Sequence, residues 1–108
     1  MTVRELIDVL DLEVLCEGDG ERTVSGGYCG DLLSWVMGRA PAGSAWFTVM
    51  GNVNALAVCV LADLPCLILC ENAALDDAAR TRAVTENIAV LRSQKDAYTL
   101  AVALSHFL

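Results

Sequence analysis

Two short, continuous apolar runs limit the fold of this chain more than any other feature of the sequence. They cover residues 45–50 (Ala-Trp-Phe-Thr-Val-Met) and residues 66–70 (Cys-Leu-Ile-Leu-Cys). Both are rich in β-forming residues, and glycine, proline or asparagine flanks each of them. Strands that are apolar on both faces are typical of the middle of a sheet covered on both sides. The sequence therefore predicts a layered α/β fold.

Helical patterns alternate with these runs along the whole chain. We predict helices over residues 3–10, 31–39, 53–62, 76–87 and 97–107, and extended segments over 12–16, 23–24, 45–50, 66–70 and 88–91. Helix starts are marked by a Thr2–Glu5 capping box, by Asn52 or Asn54, by Asp76-Asp77, and by Asp31 and Asp96 as N-caps. The expected fold is one domain over residues 1–108, with a mainly parallel sheet and helices on both faces.

Charge and length exclude several classes of partner. The chain has 108 residues and a net charge of −7, and only 7 of its residues are basic. It therefore has no basic stripe that could neutralise the phosphates of a nucleic acid, and we do not expect a nucleic-acid partner. The longest apolar run, 55–62, is far shorter than the roughly 20 residues of a membrane helix. The first residues lack the basic and apolar segments of a secretory signal, so we expect a cytoplasmic protein without membrane contact.

Acidic residues concentrate at the start of the chain. Residues 1–21 contain seven acidic side chains and only one basic one, Arg4. Such a surface either keeps the protein solvated or steers a basic protein partner toward it. Both interpretations remain open at this level.

No constellation of residues predicts catalysis or metal binding. The five cysteines are scattered among apolar neighbours, as free thiols in a reducing compartment are. Cys66 and Cys70 would lie about 13 Å apart on a strand, too far to share a zinc ion. The single histidine, His106, lies next to the C-terminus, and no serine or cysteine has a recognisable base. We therefore expect neither an enzyme nor a cofactor or metal.

The Gly26-Gly27 pair, shortly before the predicted helix at Asp31, has two interpretations. Adjacent glycines indicate a backbone that needs positive φ or comes close to another group, and we expect a tight turn there. Phosphate loops also lead from glycines into a helix, but no P-loop or dinucleotide pattern is present. An Asp31 N-cap would also disfavour an anion at that helix end. A small nucleotide-binding protein or enzyme that uses this turn is the alternative hypothesis.

Polar residues follow the predicted strands at their carboxyl ends. In a parallel sheet these ends share one edge, where ligands commonly bind. The residues at that edge are Gly51, Asn52, Asn54, Glu71, Asn72, Arg92, Ser93 and Gln94. Asn52, Asn54, Glu71 and Asn72 are the candidate ligand-binding residues among them. Turn and cap formation would explain the same residues equally well.

The segment Glu21–Ser34, with its core Gly-Gly-Tyr-x-x-Asp-Leu-Leu, and the later Asn54–Val58 resemble the DRTGG domain family. The resemblance spans roughly the whole chain, although Glu21 replaces an aspartate and Val24-Ser25 separates Thr23 from the glycines. It implies an α/β fold similar to the N-terminal domain of HPr kinase/phosphorylase. It also implies an accessory role like that of modules found beside CBS domains in pyrophosphatases and in phosphate acetyltransferases.

The resemblance implies no catalytic residue, since the catalytic machinery of such proteins lies in other domains. The positions that match the signature segment are Ser25, Gly26, Gly27, Tyr28 and Asp31. A chain this small and this apolar also exposes a large share of its surface. Our sequence-based hypothesis is a noncatalytic regulatory or protein-interaction module that forms a homodimer. A small ligand or a basic protein is the further partner that the sequence leaves open.

Overall fold

The computed structural model describes all residues, 1–108, as five strands and five helices. The helices are α1 (Val3–Leu10), α2 (Leu33–Arg39), α3 (Val53–Leu61), α4 (Asp77–Glu86) and α5 (Ala97–Ser105). The strands are β1 (Glu13–Cys16), β2 (Gly26–Cys29), β3 (Ser44–Thr48), β4 (Cys66–Leu69) and β5 (Ala89–Arg92). This confirms the α/β class. None of the helices has both the length and the apolar surface that crossing a membrane requires.

The five strands form one sheet in the order β1-β5-β4-β3-β2. Strands β2 to β5 run parallel, and each one pairs with the next along the chain. β1 pairs with β5 in the antiparallel sense and has a bulge between Val14 and Cys16. The carboxyl ends of the four parallel strands therefore share one edge of the sheet.

Apolar layers cover both faces of the sheet. Helices α2, α3 and α4 join successive parallel strands and pack on one face, around Trp46, Leu67 and Val90. Three helices on one face are expected when crossovers of one hand connect strands in spatial order. Helices α1 and α5 cover the other face, around Phe47 and Ile68. Strands β3 and β4 are buried along their whole length, as their continuous apolar runs predicted.

Four of the predicted helix starts are confirmed. Thr2 and Glu5 form a capping box, and the side chains of Asn52, Asp76 and Asp96 accept hydrogen bonds from amides of the first turns of α3, α4 and α5. The expected Asp31 cap is wrong. Helix α2 begins after Leu32, which makes no side-chain cap, because the Asp31 carboxylate is engaged by β3 instead.

The segment between β1 and β2 carries the chain from one edge of the sheet to the other. The Thr23–Val24 strand predicted here is wrong: Thr23 forms only an isolated bridge to Thr2, and β2 begins at Gly26. Arg22 anchors this segment through a 2.7 Å ion pair with Asp63 and a 3.3 Å hydrogen bond to the Leu64 carbonyl. It thereby ties the segment before β2 to the loop between α3 and β4.

Candidate functional site

Gly26 and Gly27 lie in strand β2, so the tight-turn interpretation is wrong. They pair in parallel with Ser44 and Ala45, and neither glycine has a positive φ. The alternative reason for a glycine, a close approach, holds at Gly27. A Cβ atom there would lie 3.2 Å from Cε2 of Phe47 and 3.4 Å from Cδ2 of Leu104. Glycine lets helix α5 pack close to the edge of the sheet.

A depression of about 360 Å³ runs beside these glycines, and we name it the glycine groove. Backbone and small side chains of β2 form one wall, and α5 and the C-terminus form the other. Its lining residues are Ser25, Gly26, Gly27, Cys29, Phe47, Ala101, Leu104, Ser105 and Leu108. The structure thus brings three residues of the signature segment into one groove.

A second depression, of about 250 Å³, lies at the carboxyl ends of β2, β3 and β4, where α5 begins. We name it the strand-end cleft. It is lined by Cys29, Gly30, Asp31, Phe47, Thr48, Val49, Cys70, Glu71 and Ala97. Cys29 and Phe47 line both depressions, so the two adjoin, and we name the pair the β2–α5 seam. The seam contains Asp31 of the signature segment and Glu71 of the predicted strand-end residues.

A hydrogen-bonded pair lies at the polar end of the seam. Thr48 Oγ1 donates to Asp31 Oδ1 at 2.7 Å, and the Val49 amide donates to the same oxygen at 3.0 Å. Thr48 is buried at the end of β3, whereas Asp31 is exposed. The second carboxylate oxygen of Asp31 makes no hydrogen bond within the chain and can accept one from a ligand. Thr48 was missed at the sequence level, although a polar residue near the end of an apolar strand was a usable signal.

Two thiols in the seam are held in the neutral form. Burial and then the nearby Asp31 carboxylate raise the pKa of Cys29 above its usual value. Burial, chiefly, raises the pKa of Cys70 to about 12. A thiol that stays protonated at neutral pH is a poor nucleophile and a poor metal ligand. These cysteines therefore supply small apolar surface to the seam, and all five cysteines of the chain are free.

Glu71 and Asn72 follow each other directly but point into different depressions. Both have left-handed backbone conformations, with φ of 56° and 57°. Their amides donate to the carbonyls of Lys95 (2.9 Å) and Ser93 (2.8 Å), which ties the end of β4 to the loop after β5. Glu71 consequently lines the seam, while Asn72 lines a separate polar cleft.

The polar cleft encloses about 370 Å³ and has no apolar lining residue. It is lined by Asp11, Glu13, Asn72, Arg92, Ser93, Gln94 and Lys95. Glu13 already holds the Arg92 guanidinium in two 3.1 Å hydrogen bonds. Much of the positive charge needed for an anion is therefore neutralised within the protein.

The remaining predicted residues have structural positions. The Asn52 side chain accepts from the Ala55 amide at 3.0 Å as the N-cap of α3, and Asn54 is exposed on the same helix. Neither lines the seam or the polar cleft. Tyr28 is half-buried and packs against the core on the α2 side, away from the seam. His106 is exposed at the end of α5.

Comparison with known proteins finds a related fold among solved structures. No protein-family model and no curated protein matches the sequence. A solved structure matches the fold with a TM-score of 0.66 at 14% identity: the CBS and DRTGG domains of the regulatory region of Clostridium perfringens pyrophosphatase, complexed with the activator diadenosine tetraphosphate. The match covers 95% of this chain and 45% of the solved one. The fold is thus related to a part of that regulatory region.

Proposed function

We propose that this chain is a noncatalytic regulatory module of the DRTGG type, which works as a homodimer and senses a small ligand in the β2–α5 seam. The observation that carries the proposal is the seam itself. Its strand-end cleft lies at the carboxyl ends of parallel strands, where α/β folds bind ligands, and the seam as a whole joins signature-segment residues to Glu71. The related fold of a regulatory region supports the same role.

The lining of the seam indicates the kind of ligand. Most of its surface comes from glycine backbone, neutral thiols and apolar side chains, among them Phe47 and Leu104. The only ionised side chains are the carboxylates of Asp31 and Glu71, near the start of α5. Such a site favours a compact molecule with an apolar body and hydrogen-bond donors or a positive charge, and disfavours a polyphosphate.

Nucleotide binding is the second candidate, because the solved regulatory region with the related fold is complexed with diadenosine tetraphosphate. In this chain Gly26 and Gly27 form a strand and not a phosphate loop, so the polar cleft with Arg92 and Lys95 is the better place for phosphates. The two candidates therefore use different parts of the surface.

Thermal denaturation with a ligand panel tests the proposal. The panel contains amino acids, polyamines and nucleotides, including diadenosine tetraphosphate. A ligand present at 100 times its Kd stabilises the folded state by about 2.7 kcal/mol, which is readily seen as a rise in Tm. We expect a rise with an amine-bearing compound. A rise with nucleotides alone would favour the second candidate, and no rise with any compound would contradict ligand sensing.

A blocking variant locates the response. Ala97→Phe places a ring at the mouth of the strand-end cleft, whereas Val102→Phe adds the same ring to an exposed position of α5 outside both grooves. We expect the first variant to lose the ligand-induced rise in Tm and the second to keep it.

A further inference from the structure

The two edges of the sheet differ in how they are protected. β1, at one edge, carries the charged Glu13 and a bulge, two devices that discourage pairing with another chain. β2, at the other edge, has a neighbour only on its β3 side, and its sequence Gly-Gly-Tyr-Cys contains no charge and no proline. Half of the backbone groups of β2 therefore face outward without a strand partner.

Charge is also distributed unevenly around this edge. Residues 23–62 include β2, α2, β3 and α3, yet contain only one acidic residue, Asp31, and one basic residue, Arg39. The chain as a whole carries −7. Two copies would repel each other through most of their surface, but they can approach without repulsion through this neutral region. The charge pattern thus favours a second copy over a basic partner at the β2 edge.

Exposed apolar side chains lie beside the same edge. On the α2 side, Leu32 and Trp35 are 57% and 52% exposed, and the Arg39 guanidinium stacks on the Trp35 ring at 3.7 Å. On the α5 side, Phe107 and Leu108 are 52% and 53% exposed, and Leu108 lines the glycine groove next to Gly26 and Gly27. Tryptophan and arginine are the residue types most enriched at the centres of protein interfaces.

We propose that β2 is the dimer interface: two copies pair through their β2 edges, antiparallel about a two-fold axis, and join their sheets into one. This inference rests on the proposed homodimer and names its surface. About a two-fold axis, β2 of one copy pairs with β2 of the other. The outward amides and carbonyls of each strand then form hydrogen bonds with those of the other. Four strand residues are too few for a stable interface of about 800 Å² per partner, and the flanking apolar side chains supply the remaining area.

The proposal has a local consequence for the seam. The glycine groove opens beside β2, so a second copy paired at this edge would stand next to its mouth. A ligand that contacts both copies at this mouth would stabilise the dimer.

Analytical ultracentrifugation of Gly26→Lys tests the interface. A Cβ atom at Gly26 meets nothing within 4 Å and its φ is ordinary, so the monomer tolerates the side chain. A lysine lowers the net negative charge, so general electrostatics would strengthen self-association, whereas a lysine on the pairing edge weakens it. We expect the dissociation constant of the dimer to be at least 10-fold higher than that of wild type, with an unchanged Tm of the dilute protein. Val14→Lys, on the opposite edge strand, is the matched control and should dimerise at least as well as wild type.

A second variant and a second measurement keep the test independent of how Gly26→Lys folds. Trp35→Ala should also weaken the dimer, and amide hydrogen exchange of residues 26–29 should slow as wild-type concentration rises. A dimer that survives both variants, with no concentration-dependent protection of β2, would overturn the β2 interface and leave the homodimer intact. A wild type that is monomeric at hundreds of micromolar would overturn the homodimer as well.

Discussion

Thr48 and Asp31 are 17 positions apart in sequence and share a 2.7 Å hydrogen bond from the buried Thr48 hydroxyl to the Asp31 carboxylate. The Val49 amide donates to the same oxygen at 3.0 Å. One carboxylate oxygen therefore fixes the end of β3 to the segment that follows β2. This contact gives the seam its polar end and takes Asp31 away from the helix-cap role that its sequence position predicts.

Replacing Asp31 should reveal the strength of that contact. We expect Asp31→Ala to lower the free energy of unfolding by about 1–3 kcal/mol, since it leaves the buried Thr48 hydroxyl without its acceptor. Asp31→Asn keeps an acceptor oxygen and should cost clearly less. Urea denaturation of both variants measures the difference, and an Asp31→Ala protein as stable as wild type would refute the structural role.

Gly26 and Gly27 should respond differently to the same added methyl group. At Gly27 the new Cβ presses on Phe47 and Leu104, and we expect Gly27→Ala to cost about 1 kcal/mol or more, as overpacking does. At Gly26 the space is open, so Gly26→Ala should be neutral or stabilising by up to about 1 kcal/mol through reduced freedom of the unfolded chain. Equal effects in thermal unfolding would show that α5 does not pack against Gly27 as described.

The buried thiol of Cys59 should make stability depend on alkaline pH. Burial raises the pKa of Cys59 to about 12, whereas the pKa of a cysteine thiol in the unfolded chain is about 8.5. The folded state therefore holds this proton more tightly. Its contribution to stability is fully present below about pH 8.5 and is lost as pH rises toward 12.

Comparison of wild type with Cys59→Ala isolates that effect. The stability advantage of wild type should shrink by about 1.4 kcal/mol for each pH unit above about 8.5. Val58→Ala removes a buried, non-titrating side chain of the same helix and serves as the control, with a pH-independent cost. An advantage of wild type that stays constant between pH 8 and pH 10.5 would contradict the burial of the thiol.

The sequence was sufficient for the layered fold because its main signals are local. The continuous apolar strands and the helix caps at Asn52, Asp76 and Asp96 each act within a few residues and agree with the tertiary structure. The placement of β1 and β2 at opposite edges of the sheet could not be predicted from the sequence. It depends on contacts between residues far apart in the chain, such as the ion pair of Arg22 with Asp63.

The candidate site was only partly predictable for the same reason. Asp31 has the side chain of an N-cap, and its engagement by Thr48 becomes visible only when β2 and β3 lie side by side. Gly26 and Gly27 fit a turn as well as a strand until the close approach of α5 is known. Glu71 and Asn72 are adjacent in sequence, and their left-handed backbone sends them into separate depressions.

Mapping of backbone amide chemical shifts by NMR, during titration with the panel compound that raises Tm most, tests the central claim most directly. The account predicts that the perturbed amides cluster along the seam, from Gly27 and Cys29 through Thr48 to Glu71 and Ala97. Perturbations confined to the polar cleft around Arg92 and Lys95, or no perturbation at all at saturating concentrations, would contradict it.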